Sequence, residues 1–318
     1  MKLSSLVAVA AVGTLLPILS SSQEEQSSFL RKDSEQRRRH GDDQQRRQLN
    51  LNFGQFQDPR SEFIKQQTGA RLHKNAPVWK TGARACEARP VNLEADWYKS
   101  QRGEDRKLQK WFKDLCSGTY LEIGGLDGFT FSNSYLYNKG LGWTGVLVEA
   151  SPRNYEELIK NRPNEIANVH AGVCEKEMDL HWVESRVSAV GGFQEFAAPS
   201  FQKRFWSEEE IRNAQIVKCE TLENILLDNV GPGFYFDFFS LDVEGAEYSV
   251  LQSMNFNLVG FGVIFVEADV HNPTKNMAVR ELLESNGYMY LEDEKKSSWF
   301  VNKDFWIIYK ELIHEIHA

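Results

Sequence analysis

No stretch of this 318-residue sequence has the roughly 20 apolar residues that a transmembrane helix needs. An N-terminal apolar run, residues 6–19, follows Lys2 and precedes the small residues 20–22. This pattern predicts a signal peptide over residues 1–22, cleaved before Gln23, with an uncleaved signal-anchor as the alternative. We therefore expect a protein of the secretory pathway or a secreted protein, tethered to a membrane only if the anchor is retained.

Cysteine is scarce: there are four, and no two of them have the C-x-x-C spacing of zinc ribbons or thioredoxin-like sites. Behind a signal peptide, an even number permits two disulfides with three possible connectivities, and four buried free thiols are the alternative. The cysteines are Cys86, Cys116, Cys174 and Cys219.

Basic residues are few in the C-terminal part of the chain. The sequence has a formal net charge of −8, from 37 Lys and Arg against 45 Asp and Glu. Residues 23–89 contain 14 basic and 9 acidic side chains, whereas residues 90–318 contain 22 and 36, a net charge of −14. Phosphate binding depends on clustered Lys and Arg, so this acidic body argues against a nucleic-acid partner.

The composition also divides the chain. Residues 23–48 are dominated by Gln, Ser and charged side chains, which cannot bury enough apolar surface to offset chain entropy. We predict a low-complexity, disordered arm over residues 23–90. Sharper alternatives are a basic contact with anionic lipid or polysaccharide, or a processing site at residues 37–39. Residues 91–318 are predicted to form the folded domain, because the chain's 41% apolar residues and 8 Trp, seven of them in this range, allow a large core.

Strand and helix patterns alternate through this domain. Short apolar runs predict strands, and capped or periodic segments predict helices, one of which we expect Gly140 to end. We expect an α/β, Rossmann-like, doubly wound and mostly parallel sheet, with ligands beyond the carboxyl ends of its strands. Strands are expected at 119–124, 145–149, 167–174, 236–241 and 263–267, helices at 132–139, 152–161, 222–228, 246–254 and 276–286, and further elements at 178–183, 288–292 and 305–309.

A glycine-rich turn follows the first predicted strand. A dinucleotide site would need a glycine where Glu122 stands, and an acid there suits a cationic or amine-bearing ligand better than a pyrophosphate. Glu149 ends the second strand 21 residues after the turn, the spacing at which an acid reaches ribose hydroxyls in Rossmann-type units. The turn contains Gly124, Gly125, Asp127 and Gly128.

Acidic residues also follow the fourth and fifth strands. Asp242 and Glu244 flank one residue at the fourth strand's end, and extended geometry would turn both to the same side. Glu247 follows in the next helix, and Glu267 ends the fifth strand. Capping and dipole interactions of the helix are the structural alternative for Glu244 and Glu247.

Several of these segments resemble the FkbM-type methyltransferases. The resemblance rests on the turn at 124–128, residues 141–149, residues 152–154, the block 241–247 (Leu-Asp-Val-Glu-Gly-Ala-Glu) and residues 299–302. It implies a seven-stranded Rossmann-like fold, S-adenosyl-L-methionine as cofactor and O-methyl transfer. By this resemblance Glu122 and the glycine turn hold the methionine end and Glu149 the ribose. Ala150 and Ser151 stand where similar proteins have Pro-Asn, which affects the adenosine pocket.

The chemistry of methyl transfer assigns further roles. An alcohol acceptor must lose a proton, so Asp242 and Glu244 are the candidate base or divalent-metal ligands, with metal dependence open. His271 is a candidate substrate-side base, and His170 a weaker one. We expect O-methylation of a hydroxyl on a glycan or small metabolite. The alternatives are a catalytically inactive domain that serves as a secretory-pathway interaction module, and a nucleotide-sugar or nicotinamide enzyme.

Residues 185–213 form a long, aromatic-rich insertion after the third-strand region. Loops of this length are usually functional or disordered. We consider two interpretations: a packed peripheral helix, or a lid over the acceptor site hinged at Gly191 and Gly192.

Overall fold

Apolar runs in the sequence form the strands of a central sheet in the computed structural model of this protein. The structure describes residues 77–88, 91–113, 115–186, 190–197, 199–268 and 272–317. The chain divides into two units, Met1–Pro59 and Arg60–Ala318, and all described residues belong to the second. The expected signal peptide, residues 23–76 of the expected arm, and His271 lie outside the described residues.

The strands follow one another closely along the chain. In chain order they are β1 (Arg84–Ala85), β2 (Leu115–Cys116), β3 (Thr119–Ile123), β4 (Thr144–Glu149), β5 (Ala167–His170), β6 (Gly172–Val173), β7 (Met178–Val183), β8 (Gly192–Phe193), β9 (Gln215–Glu220), β10 (Tyr235–Leu241), β11 (Gly260–Glu267), β12 (Tyr288–Glu294) and β13 (Ser297–Asn302).

The helices lie between these strands. They are α1 (Glu104–Phe112), α2 (Tyr135–Leu141), α3 (Pro152–Asn161), α4 (Pro199–Phe205), α5 (Glu208–Arg212), α6 (Leu222–Asn229), α7 (Glu247–Gln252), α8 (Pro273–Ser285) and α9 (Phe305–His317), with a 3₁₀ turn at Ala95–Trp97. No helix within the described ranges is both long and apolar enough to cross a bilayer. Two of these helices have N-caps of the expected type. Ser151 caps α3 by accepting a hydrogen bond from the Asn154 N–H, and Thr221 caps α6 by accepting one from the Asn224 N–H.

The predicted fold class is confirmed. Seven strands form one sheet in the order β12-β13-β11-β10-β3-β4-β5, and neighbouring strands from β11 to β5 pair in parallel. β13 runs antiparallel to both of its neighbours, β11 and the edge strand β12. The strand order reverses between β3 and β10, which makes the carboxyl ends of these two strands the expected position of a ligand crevice.

A hydrophobic core lies on each face of this sheet. All seven residues of β10 are buried, as expected for a central parallel strand. On one face the Phe238 ring packs 5.5 Å from the Tyr120 ring, 5.1 Å from Tyr137 and 5.8 Å from Trp143. Phe236 and Phe261 stack at 5.8 Å within the core of the other face. The two cores fix the sheet and therefore the positions of its strand ends.

Three predicted elements differ from the observed ones. The third strand divides at Ala171: β5 joins the main sheet, whereas β6 joins a second sheet of order β6-β9-β7-β8. Residues 305–309 belong to α9, and β13 is the strand in that region. The helix expected to stop at Gly140 continues to Leu141 and ends at Gly142, whose φ is +65°. Gly140 instead permits close packing, because a Cβ there would lie 2.6 Å from Leu93.

The aromatic insertion packs against the domain. Trp206 is buried and its indole N–H donates to the Val190 carbonyl at 2.7 Å. Gly192 pairs with Val183 in the second sheet, and a Cβ on Gly191 would lie 2.9 Å from Trp182. These contacts agree with the interpretation of the insertion as a packed peripheral element. They also hold Gly191 and Gly192, the expected hinge, against β7.

The folded domain begins earlier than residue 91. The described part of the expected arm, residues 77–88, pairs β1 with β2 and forms the Cys86–Cys116 disulfide. The Thr81 hydroxyl donates to Asp237, which is fully buried in β10. A second disulfide joins Cys174 to Cys219, so all four cysteines are paired and the alternative of free thiols is wrong.

Breaking the Cys86–Cys116 disulfide should destabilise the domain. Its cysteines are 30 residues apart, and a loop of that size contributes roughly 3–4 kcal/mol through restriction of the unfolded chain. We expect the double variant Cys86→Ala/Cys116→Ala to lose about that much free energy of unfolding in urea titrations. A midpoint and slope equal to those of the wild type would contradict the prediction.

Candidate active site

The ends of β3 and β10 touch through their backbones. Gly124 follows β3 with φ +85°, and a Cβ there would lie 2.0 Å from the Asp242 carbonyl oxygen. The Asp242 N–H donates to the Ile123 carbonyl at 3.2 Å. Glycine is therefore required at position 124 by a close approach of two chain segments, and this approach places the glycine turn beside Asp242.

Glu149 closes the other side of the glycine turn. Its buried carboxylate accepts the N–H of Leu126 at 2.8 Å and that of Ser151 at 2.7 Å. Burial raises the pKa of Glu149 to about 7, against the lowering effect of these two hydrogen bonds. A carboxylate with two oxygens can accept further hydrogen bonds, so Glu149 retains acceptor capacity beside the turn.

Glu122 bonds to the chain segment that follows the glycine turn. Its carboxylate is buried and accepts the hydroxyls of Ser132 at 3.0 Å and of Ser134, and the Asn133 N–H at 2.7 Å. These donors belong to the segment that leads into α2. Glu122 therefore holds this segment, and no hydrogen bond in the structure directs it toward a ligand.

The remaining turn residues act mainly on the turn itself. The Asp127 carboxylate accepts the Phe129 N–H at 2.9 Å and both the N–H and the hydroxyl of Thr130, which forms an Asx-type turn. Gly125 lies against Leu158, 3.0 Å from where its Cβ would be. Gly128, with φ +73°, lies similarly over Arg162. The turn thus rests closely on α3.

Carboxylates gather at the ends of β10 and β11. One carboxylate oxygen each of Asp242, Glu247 and Glu267 lies within 4.8 Å of the other two. Glu244, expected to share a side with Asp242, is not in this group. Extended geometry ends before it, because Glu244 has φ +54° and Gly245 has φ +114°. Among the described residues, the structure pairs Asp242 with Glu247 and Glu267 as the group that could hold a cation.

Two lysines partly neutralise this acidic cluster. Lys275 of α8 forms a buried ion pair with Glu247, whose other oxygen accepts the N–H groups of Val243 at 3.2 Å and Gly245 at 3.0 Å. Lys296 lies 3.8 Å from Glu267. Glu247 therefore holds the loop that carries Asp242, and all of its oxygens already have partners.

Crowding of like charges shifts the acids of this cluster. Desolvation by the surrounding protein, followed by repulsion from Glu267, Glu244 and Glu247, raises the pKa of Asp242 well above its usual range. The Asp242 side chain is nevertheless exposed to solvent. Desolvation and the same repulsion raise the pKa of Glu244 to about 7 and raise that of Glu267.

The histidine predictions have separate outcomes. His170 ends β5 with an exposed ring that stacks on Tyr155 at 4.8 Å, and its Nε2 lies 3.2 Å from the Ala150 carbonyl oxygen. This places His170 near Glu149 and away from the acidic cluster. His271 is outside the described residues and stays a prediction.

Sequence reasoning missed the polar groups beneath the turn. Arg162 and Glu165 form an ion pair at 2.7 Å with fully buried side chains, and Lys275 is nearly as buried. Their sequence surroundings are ordinary charged helix ends. The sequence does contain the run Ser-Asn-Ser at 132–134 directly before a helix. Such a run favours hydrogen bonds to buried polar side chains, and here its partners are Glu122 and Arg162.

A cavity of about 650 Å³ lies elsewhere in the domain. It is lined by the start of α6, the end of α7 and the segment after β6, and it contains none of the predicted site residues. The chemistry-bearing residues are instead at the strand ends.

The sequence of residues 122–290, just over half of the chain, matches the methyltransferase FkbM domain family. The chain belongs to this family. The matched range includes Glu122, the glycine turn, Glu149 and the acidic cluster at the ends of β10 and β11. No curated protein sequence matches this FkbM-family chain.

Solved structures align with the chain at low similarity. The FkbM methyltransferase from Methylobacillus flagellatus has 13% identity and a TM-score of 0.36, covering 58% of this chain and 43% of its own. The O-methyltransferase from Bacillus cereus in complex with SAH has 15% identity and a TM-score of 0.32, covering 66% and 83%. The fibrillarin pre-rRNA processing protein of Methanococcus jannaschii has 15% and 0.31, covering 66% and 70%. The chain thus spans less than half the length of the FkbM structure.

The left-handed backbone at Glu244 gives a stability prediction. A residue with a Cβ costs roughly 1–2 kcal/mol in this conformation, which exceeds the extra chain entropy of glycine. We expect Glu244→Gly to be more stable than Glu244→Ala by about 1 kcal/mol in urea unfolding, since both variants lose the same carboxylate.

Lys295 offers a matched control, because it has φ +59° and lies outside the acidic cluster. The pair Lys295→Gly and Lys295→Ala should show the same order. Equal stability of the two Glu244 variants would mean that the loop relaxes out of the left-handed conformation.

Proposed function

We propose that this domain is an S-adenosyl-L-methionine-dependent methyltransferase that methylates a hydroxyl on a glycan or small metabolite. The observation that carries the proposal is the backbone contact of Gly124 with Asp242, which puts the glycine turn next to an acidic cluster open to solvent. Family membership supports the reaction class. Position beyond the carboxyl ends of parallel strands supports a ligand site.

The residues present fit the proposed cofactor. Glu149 has acceptor capacity for ribose hydroxyls at the second strand end. Asp242, Glu247, Glu267 and the neighbouring Glu244 are four acidic side chains, and two lysines, Lys275 and Lys296, face them. The acids therefore exceed the lysines by two. An excess of negative charge favours a sulfonium and an ammonium group nearby. When bound, the cofactor supplies an electrophilic methyl carbon.

Asp242 is the proposed base. A bound cofactor would supply the methyl group to the acceptor hydroxyl, whose proton then needs an acceptor on this chain. Asp242 accepts the proton that the hydroxyl loses, and its exposure to solvent lets an acceptor reach it. The side chains of Asp242 and Glu267 are joined by a hydrogen bond, so the pair titrates together.

A divalent metal is the second proposed role for this cluster. Asp242 and Glu267 would be its oxygen ligands, together with Glu247 if Lys275 were displaced. Since Glu247 already bonds Lys275 and two backbone N–H groups, the base without metal agrees better with the contacts.

The disulfides bear on the compartment. Paired cysteines persist in oxidising environments and are rare where thiols are kept reduced. Together with the signal peptide predicted over residues 1–22, the two disulfides support a place in the secretory pathway or outside the cell. Membrane tethering by an uncleaved anchor remains the proposed alternative.

Two measurements test the function. Calorimetric titration of the full chain with S-adenosyl-L-methionine separates a binding domain from an inactive interaction module. Incubation with methyl-labelled cofactor and fractionated glycans and metabolites, followed by mass analysis of the product, identifies the acceptor. Binding without methylated product from any fraction would leave a cofactor-binding module and contradict the proposed enzyme.

The pKa of Glu149 predicts pH-dependent cofactor binding. Below pH 7 its carboxyl is protonated in the free protein, and acceptance of two ribose hydroxyls requires the carboxylate. We expect affinity for the cofactor to be about tenfold weaker at pH 6 than at pH 8, by calorimetry at both values. In Glu149→Gln the affinity should be weaker and this pH effect smaller. An identical pH profile in both proteins would exclude Glu149 as the ribose acceptor.

Replacement of Asp242 tests the base. Asp242→Asn retains size and polarity but cannot take up the proton, so turnover should fall roughly 10²–10⁴-fold. Glu244→Gln is the control for loss of one negative charge, and cofactor affinity should fall no more in Asp242→Asn than in this control. EDTA should leave wild-type turnover unaffected if Asp242 acts as a base, whereas a loss restored by Mg²⁺ or Mn²⁺ would establish the metal role. Full turnover by Asp242→Asn would rule out both.

A further inference from the structure

Arg162 lies beneath the glycine turn with its side chain fully buried. It follows α3 directly, and burial alone would lower its pKa. The facing Tyr120, Glu165 and Glu122 together raise the pKa of Arg162, so the guanidinium is charged. A buried charge of this kind persists only where its donors are satisfied.

The guanidinium reaches the glycine turn and the segment after it. Its Nη1 donates to the Gly128 carbonyl at 3.0 Å and to the Ser132 hydroxyl at 3.3 Å. Its Nη2 donates to the Ser134 hydroxyl at 2.9 Å and to the Tyr120 hydroxyl at 2.6 Å. One side chain therefore joins the turn, the start of α2 and strand β3.

The two serines connect Arg162 to Glu122. Each hydroxyl accepts from Arg162 and donates to the Glu122 carboxylate, which also accepts the Asn133 N–H. The segment between the turn and α2 is thus held between a buried cation and a buried anion.

Glu165 anchors the guanidinium from the other side. It accepts the Arg162 Nε–H at 2.8 Å, the Asn138 side-chain amide at 3.0 Å and the Gly145 N–H at 2.7 Å. Since Gly145 lies in β4, this anchor is fixed by the central sheet. Gly128 completes the fit, because a Cβ there would lie 2.6 Å from the Arg162 Cγ.

We propose that Arg162 is a positioning residue that holds the segment 128–134 in the shape required for the methionine end of the cofactor. The inference rests on the proposed function. Arg162 bonds Gly128, Ser132 and Ser134, whereas Glu149, on the ribose side, bonds the N–H groups of Leu126 and Ser151. Its loss should therefore weaken binding of the amino-acid end and spare binding of the adenosine end.

The test compares two ligands in calorimetric titrations of the full chain. S-adenosylhomocysteine has the amino-acid end, whereas 5′-methylthioadenosine lacks it. Arg162→Lys retains the charge but not the planar set of donors. We expect at least about tenfold weaker binding of S-adenosylhomocysteine and a less than threefold change for methylthioadenosine. Tyr309→Phe, which removes a buried hydroxyl from Asp237 away from the turn, should change neither affinity.

Equal losses for both ligands in Arg162→Lys, or no loss for either, would overturn the inference. If that variant does not fold, Ser134→Ala removes a single link between Arg162 and Glu122 and should show the same preference with a smaller loss. Wild-type protein that binds neither ligand would overturn the proposed function instead. Amide hydrogen exchange of residues 125–133 then decides the inference alone: faster exchange in Ser134→Ala than in Tyr309→Phe supports it, and equal exchange contradicts it.

Discussion

The contact between the Gly124 backbone and the Asp242 carbonyl determines the arrangement of the site. Parallel strands β3 and β10 lie side by side where the strand order reverses, and the chain leaves them in different directions. Without a side chain at position 124, the turn after β3 passes directly over the end of β10. Glu149, Asp242 and the loop at 243–247 take their positions from this approach.

Electrostatics divides the site into a held part and an open part. Beneath the turn, the acids and Arg162 are buried and fully hydrogen-bonded, so they fix geometry. At the ends of β10 and β11, Asp242 and Glu244 reach solvent, and their pKa values are raised by desolvation and by repulsion from the neighbouring carboxylates. Accessible acids with shifted pKa values are typical of sites that exchange protons with a ligand.

Most of the fold could be predicted because strand ends coincide with changes in local pattern. Ser151 and Pro152 form a typical helix start and lie at the start of α3, and the apolar run before Asp242 forms β10. The helix end predicted at Gly140 is wrong, because a glycine is found both at helix ends and at close packing contacts. The packing of Leu93 against Gly140 distinguishes the two, and the sequence near Gly140 does not contain it. The second sheet was missed since β6 and β8 have two residues each, too few for a periodicity.

The position of these acids near the strand ends was predictable from the sequence, but their contacts were not. Glu122 and Glu149 both end buried strands, and their sequence surroundings do not differ in a way that shows which one is saturated by its own chain. Likewise, the alternation that placed Glu244 with Asp242 fails at the left-handed backbone of Glu244. Long-range partners such as Lys275 and Arg162 decide these roles, and a local pattern does not contain them.

The segment 77–88 extends the folded domain beyond the range that the family match covers. The family match begins at Glu122, yet Cys86, Thr81 and Trp79 complete a disulfide, a buried carboxylate's hydrogen bonds and the packing over Gly260. A truncation at the start of the family match would remove both cysteines of this disulfide, most of β3 and the Trp79 packing, and would leave an open patch on the sheet. A shortened form of this protein should therefore begin upstream of residue 77 rather than at the edge of the family match.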